Sequence, residues 1–350
     1  STKQFPQLSD YSETLMKLLG SPNIASKIWV YGQYDHEVGI RTVTKPGYDA
    51  SVLRLDNGKF LSIKIDGNPK QCYINPREGA IGCFEEACRN VVCTGAKPIG
   101  MLDHLQFGNP NDPEIFWTFL ESLKGLTDFA KDFEIPCVGG KVSLYNETSD
   151  GPIKPTPVIG VIGLIDKKPL KIQKINSGDS LIMIGDTKDE LGGSEYFEYI
   201  HKFIGGKCPA VNFSESKKNM NSVLDIIENE LIKSVHDCSK GGLTIAISEL
   251  CMTNQIGCNV SLEKIPGEKL DSDKILFSES HSRYLVTFEN KNLQKLEETL
   301  KKHGVSYSLI GEFTGDSICF TCDSKPIIDL SVDKAQKTWF NSLKEMVLHA

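Results

Sequence analysis

Residues 75–107 read NPREGAIGCFEEACRNVVCTGAKPIGMLDHLQF, and this stretch decides the fold. Asn75 is an N-cap residue type, Pro76 suits the first helical position, and Glu78 puts an acid near the positive end of a helix. Ala80, Ile81, Phe84, Ala87, Cys88, Val91 and Val92 follow at three- and four-residue spacing, which predicts an amphipathic helix. Gly95 ends it, and Pro98 to Phe107 reads as an apolar strand. A capped helix running into a strand is the signature of an α/β unit.

The pattern extends in both directions. Upstream, Ala50 to Leu55 and Phe60 to Ile65 alternate on either side of Asp56-Asn57-Gly58, which predicts a hairpin. Downstream, Asp112-Pro113 caps a second helix whose inward face is Phe116, Phe119, Leu123, Leu126, Phe129 and Ala130. Pro136 to Leu144 and Pro157 to Ile165 read as further strands. A basic polar stretch, Asp166 to Asn176, marks a boundary. Beyond it Ser180 to Ile184 reads as a strand, Gly192-Gly193-Ser194 opens a helix, and Ser222 to Leu231 forms another. Lys240-Gly241-Gly242 opens a third, Leu243 to Cys251. Strands at Gly257 to Leu262 and Arg283 to Phe288, a helix at Leu293 to His303, strands around Ser308 and Cys319, and a helix from Asp333 complete a second α/β unit. The expected organisation is a linker segment at 1–36 carrying a helical pattern at Tyr11 to Leu19, a first unit at 37–168 and a second at 169–350.

The composition, 39% hydrophobic and 24% charged, is that of a globular protein. A net charge of −7 argues against non-specific nucleic-acid binding, which needs clustered Lys and Arg. The 11 cysteines form no evenly paired framework, which predicts reduced thiols and a cytoplasmic setting. Cys319 and Cys322 form a C-x-x-C, but on a strand they point to opposite faces, and no second pair follows at zinc spacing. Ser1 to Asp10 is polar and does not read as a secretory leader. The apolar run Pro157 to Ile165 is too short to span a membrane.

Four places, the last with two loops, put polar residues at strand ends or on glycine loops, where α/β folds bind ligands. Asp66 ends an apolar strand and is followed by Gly67-Asn68-Pro69. Asp103 lies in a strand that runs into Gly108-Asn109-Pro110. Gly139-Gly140-Lys141-Val142-Ser143 joins glycines, whose amides can face phosphate oxygens, to a cationic side chain. Leu191-Gly192-Gly193-Ser194-Glu195 and Asp237-Cys238-Ser239-Lys240-Gly241-Gly242-Leu243 bring glycines to helix N-termini, which are natural anion sites. Each segment is equally what a tight turn or close packing requires. Acids beside a phosphate imply Mg²⁺ between them, because bare carboxylates repel the anion. His36, His104, His236 and His281 lie in loops or next to acids without H-x-x-x-H or H-E-x-x-H spacing, so a histidine metal site is not expected. His36, in Tyr34-Asp35-His36-Glu37, is a candidate general base whose competing reading is structural.

Taken in order, Ser21-Pro22-Asn23-Ile24-Ala25-Ser26-Lys27, Gln33 to Val38, Asp66-Gly67-Asn68-Pro69, the helix from Glu85 to Gly95, Phe107-Gly108-Asn109-Pro110, Gly139 to Glu147, Leu191 to Tyr196, His236 to Leu243 and Phe277-Ser278-Glu279-Ser280 resemble one family over nearly the whole chain. That family is the formylglycinamide ribonucleotide amidotransferases, and the match is to the second half of their synthetase subunit. It belongs to the AIR synthetase-like superfamily. The resemblance implies an α/β (α+β), two-domain unit with mixed sheets packed against helices.

It also implies a ligase that converts formylglycinamide ribonucleotide, ATP and glutamine-derived ammonia to formylglycinamidine ribonucleotide in purine synthesis, with ATP and Mg²⁺ as cofactors. By the family pattern Asp103 and Gly140 contact ATP, and Ser143 contacts the substrate. The position after Gly140 is a metal-binding Asn in the family and is Lys141 here; Asp66 is the other candidate metal ligand. Gln106 also stands at a family Asn position. The family's catalytic His belongs to an N-terminal half with no counterpart in this sequence, and the segment around His36 occupies the duplicated position. The implied partners are that half, a glutaminase subunit and a small accessory subunit, with dimer-like pairing through the first unit's strands. The alternatives are a half that holds a nucleotide structurally and a single-unit AIR synthetase-like enzyme.

Overall fold

The computed structural model describes residues 5, 8 and 10–349, so most of the stretch Ser1 to Asp10 lies outside the described residues. In chain order the first elements are α1 (Tyr11–Leu19), α2 (Ile28–Tyr31), β1 (Thr42–Thr44), β2 (Ser51–Arg54), β3 (Phe60–Asp66), α3 (Pro69–Ile74), α4 (Pro76–Val92), β4 (Lys97–Gln106), α5 (Pro113–Phe133), β5 (Cys137–Ser143), β6 (Glu147–Thr148), β7 (Gly151–Pro152) and β8 (Thr156–Ile165). The cap signals act as their chemistry dictates. Asn75 accepts from the Glu78 amide at 3.1 Å, and Asp112 accepts from the Glu114 amide at 2.8 Å.

The first sheet has six strands in the order β1-β2-β3-β8-β4-β5. β8 inserts between β3 and β4, antiparallel to both, while β4 and β5 run parallel, joined through the crossover helix α5. The strict alternation along β8 buries Ile159, Val161 and Ile165 against α4. The opposite face carries Ile65, 67% exposed, and Leu102, 42% exposed, with no layer over it among the described residues. Phe116, expected to face inward on α5, is 44% exposed, because the helix turns its Ser122, Gly125, Leu126 and Phe129 face to the core.

The second group comprises β9 (Ser180–Ile184), α6 (Phe213–Glu228), β10 (Ser234–Asp237), α7 (Gly242–Asn254), β11 (Cys258–Ser261), α8 (Ser272–Phe277), β12 (Tyr284–Phe288), α9 (Leu293–His303), β13 (Tyr307–Phe313), β14 (Ser317–Cys322), β15 (Lys325–Ser331) and α10 (Val332–Leu348). Its sheet has seven strands in the order β10-β12-β9-β13-β11-β14-β15. β9 and β12 are buried along their whole length, as expected for central strands covered on both faces.

Four expectations shift. α6 starts at Phe213 rather than Ser222, with Asn212 as its cap; the polar run Lys217-Lys218-Asn219 conceals that first turn in the sequence. Gly192-Gly193-Ser194 does not open an α-helix but a five-residue π turn, Tyr196–Ile200. β15 escapes the strand reading because Lys325, Pro326 and Asp329 interrupt its apolar pattern. The expected linker, 1–36, is packed on the second sheet through α1 and Ile24. Leu15, Leu18 and Leu19 of α1 are fully buried there, the Ser12 hydroxyl accepts from the Asp329 amide, and Trp339 Nε1 donates to the Ile24 carbonyl. An amphipathic helix with three leucines on one face is stable in water only when that face is covered. The cysteines are unpaired thiols, and Cys319 and Cys322 lie on β14. Among the described residues no helix is long and apolar enough to cross a membrane.

Candidate functional site

The parallel strands β4 and β5 end side by side, and their loops form one structure. The Asn109 amide donates to Glu147 Oε1 at 2.7 Å, and Asn146 Nδ2 donates to the Phe107 and Ser143 carbonyls at 3.0 and 2.9 Å. Phe107-Gly108-Asn109-Pro110 and Ser143 to Glu147 are therefore one rim at the carboxyl ends of two parallel strands, a usual ligand position in such sheets.

Register settles how the expected site residues are placed. Asp66 and Asp103 both pair with Ile159, and Asp103 pairs with Gly140, so these residues form a single row on the helix-facing side. A Cβ at Gly140 would collide with the Asp103 carboxylate, so the glycine is what allows that carboxylate its place. Burial raises the Asp103 pKa, while the Cys137 thiol and the Lys141 amide, both donating to the carboxylate, oppose the rise. Lys141 pairs with His104 and Ser143 with Gln106, which puts both on the outer face. The Lys141 ammonium is exposed and has no hydrogen-bond or ion-pair partner among the described residues. Ser143 Oγ lies 3.3 Å from Asn146 Oδ1. The structure thus joins Asp103, Gly140, Lys141 and Ser143 at one strand end, divided between two faces. Asp66 is not with them: β8 and β4 stand between it and β5.

Asp66 belongs instead to a buried charged seam between the two groups of elements. Its Oδ1 accepts from Lys240 Nζ at 3.2 Å, and the same ammonium lies 3.5 Å from Glu86 Oε1. Burial, then the Glu86 charge, pushes the Asp66 pKa up to about 6. Arg89 is fully buried; it pairs with Glu85, one turn away on α4, and with Asp237 of β10 at 3.2 Å. Glu85 also accepts from the hydroxyls of Ser216 and Ser282, each at 3.0 Å. Lys70 of α3 pairs with Glu195, and with Glu198 at 3.0 Å.

Two further features of the seam bear on ligand binding. Asp49, His236 and Asp237 place their ligand atoms within 4.8 Å of one another. Both imidazole nitrogens of His236 are already taken, by Asp49 at 2.8 Å and by Glu249 at 3.1 Å. Burial alone would lower its pKa, but the two carboxylates raise it well above the usual histidine value. The two carboxylates thus favour the imidazolium form, and both ring nitrogens are engaged by protein oxygens. At the glycine loops, Glu279 Oε1 accepts from the amides of Gly241 and Glu195, each at 2.8 Å. The anion position expected there is filled by the protein's own carboxylate. His281 is buried and neutral, its pKa pushed down to about 3 by burial and then by Arg89 and Arg283; Gly82 makes room for its ring. His36 is half-buried, with Nδ1 3.2 Å from the Tyr34 carbonyl. The sequence reading missed the seam's central members, Glu85, Arg89, Lys70 and Glu279. The available signal was the i, i+4 pair Glu85–Arg89, set among the apolar positions of the helix.

This combination of a mixed sheet with parallel-strand rim loops, a second α/β layer and glycine loops at its helix start defines a class. The chain belongs to the AIR synthase related family: residues 47–165 match the family's N-terminal domain and 176–320 its C-terminal domain. Within that family it is similar to the phosphoribosylformylglycinamidine synthase subunit PurL. It is 39% identical to the Alkaliphilus metalliredigens protein over 98% of this chain and 46% of that one. It is 42% identical to the Methanocaldococcus jannaschii protein over 97% of this chain and 47% of that one. The chain thus spans about half the length of these relatives. T. maritima PurL, solved in complex with FGAR, has the same fold, with a TM-score of 0.76 at 18% identity over 95% of this chain and 54% of that one. Its complex with ATP gives 0.73.

Proposed function

We propose that the chain is the C-terminal half of the synthetase subunit of a phosphoribosylformylglycinamidine synthase, a ligase of purine biosynthesis. It supplies one wall of the site that converts formylglycinamide ribonucleotide, ATP and ammonia to formylglycinamidine ribonucleotide. The carrying observation is the rim at the ends of β4 and β5, where Asp103, Gly140, Lys141 and Ser143 meet beside an uncovered apolar sheet face. In this reading Asp103 and Gly140 hold ATP and Ser143 holds the substrate. The N-terminal half packs on the outer face of the first sheet and brings the catalytic histidine. A glutaminase subunit and a small accessory subunit complete a cytoplasmic complex. The chain divides into units at 37–168 and 169–350, a division supported by its two sheets, and α1 and Ile24 pack with the second.

Conversion of amide to amidine needs the amide oxygen turned into a leaving group. Transfer of a phosphoryl group from ATP does this, and ammonia then displaces phosphate. The protein's task is to position the reactants and to neutralise phosphate charge. A half that holds a nucleotide structurally between α4 and the glycine loops is disfavoured, because Glu279, Lys240 and Arg89 already fill and neutralise that region.

The test is to mix the chain with its N-terminal half and follow phosphate release from ATP. The expected result is release that needs both halves, formylglycinamide ribonucleotide and ammonia. Two halves that fold and pair but release nothing refute the reading; turnover by the chain alone refutes its assignment as a half.

A further inference from the structure

Mg²⁺ is the cation the family implies at this site, and the residues expected to hold it do not fit it. A magnesium ion takes hard oxygen ligands in a tight octahedron. Lys141 offers an ammonium, with no lone pair to give. Asp66 is three strands away from β5, roughly 14 Å at the usual strand spacing, and turned to the opposite face. Its carboxylate is also buried and engaged by Lys240. Asp103 lies on the helix-facing side and accepts from the Cys137 thiol and the Lys141 amide. The outer-face neighbours of Lys141 in register are His104, Gln106 and Ser143, none of them a carboxylate. Glu147, an acid of the rim, accepts from the Asn109 amide at 2.7 Å.

We infer that the cation meeting a ligand phosphate at the β4–β5 rim is the Lys141 ammonium, and that this half binds phosphate without a divalent metal. The inference rests on the nucleotide reading given under Proposed function. An exposed ammonium beside a glycine strand end, with no carboxylate to neutralise it, is free to pair with a phosphate oxygen. It offers no lone pair to a divalent ion, and its register neighbours on this face supply no carboxylate to hold one. Glycines at 139 and 140 let a phosphate approach the backbone next to it.

The experiment measures ATP binding to the chain by calorimetry in EDTA and in Mg²⁺, for the parent, Lys141→Gln and Lys141→Arg. Mn²⁺ paramagnetic resonance, with and without ATP, reports any bound divalent ion. The expected result is ATP binding that survives EDTA, weakens about ten- to hundredfold in Lys141→Gln, as loss of a charge-assisted contact predicts, and recovers in Lys141→Arg. ATP does not recruit Mn²⁺ to the protein beyond what free ATP holds. Binding that requires Mg²⁺ and ignores Lys141→Gln overturns the lysine assignment while leaving the nucleotide reading intact. ATP binding by none of the three proteins overturns the nucleotide reading for this half, and the lysine assignment falls with it.

Discussion

Glu279 stands where a phosphate-binding loop would hold its ligand. Its Oε1 takes the amides of Gly241 and Glu195, and Lys70 lies close enough to oppose the rise in its pKa. Burial, partly offset by Lys70 and reinforced by Glu195, pushes that pKa from the usual 4.5 up to about 7. The folded state therefore holds a proton that the unfolded chain releases between these values. The stability this proton confers is complete below pH 4.5 and is lost as pH rises through about 7. Glu279→Gln removes the titration. Relative to the parent, the variant gains stability as pH rises from 5 to 8, by up to about 3 kcal/mol at 1.36 kcal/mol per pKa unit. Urea unfolding midpoints at pH 5, 6, 7 and 8 check this; parallel pH profiles for the two proteins refute it. The glycines of this site were legible in the sequence as an anion position. The occupant was not, because it comes from 38 residues beyond Gly241 and no local spacing links the two.

On the scale of one element, α4 is the best example of what a sequence can and cannot specify. Its start was written in Asn75-Pro76-Arg77-Glu78, and its apolar face against β8 in the three- and four-residue spacing. What the spacing concealed is that the other face is buried too. Glu85, Glu86, Arg89 and Asn90 look like a solvated stripe until the second layer arrives. Likewise, the hairpin of β2 and β3 was legible in Asn57-Gly58, whereas the insertion of β8 between β3 and β4 was not. That insertion depends on pairings nearly a hundred residues apart in the chain. The burial of Arg89 gives a test. Arg89→Met leaves Glu85 and Asp237 as buried, uncompensated acids and is expected to destabilise the fold by about 3–5 kcal/mol. Adding Asp237→Asn removes one of those charges and recovers part of the loss, because the cost lies in the unpaired acid rather than in the missing arginine. Equal losses in the single and double variants, measured by urea unfolding, would show that the pair is not coupled.

For the whole molecule the question is what covers the first sheet. Its helix side is packed, but Ile65, Gly160, Leu102 and Gly139 form a row across the other side, exposed at both large residues. β5 is an edge strand whose outer backbone groups have no partner strand among the described residues. A continuous apolar face with a free edge beside it marks an interaction surface. If the N-terminal half packs there, as proposed, the Lys141 and Ser143 side of the rim is closed by that contact and the site is composite. Replacing Ile65 and Leu102 together by Lys tests this directly. These side chains are 67% and 42% exposed, so the double variant keeps the parent's stability within about 1 kcal/mol. Two charges in the centre of an apolar contact remain unpaired when it closes, so association with the N-terminal half is lost and phosphate release with it. Sedimentation velocity of the mixed halves reads the first effect. A double variant that still co-sediments with the N-terminal half places the contact elsewhere on the chain, and the rim would then have to be closed by a different surface.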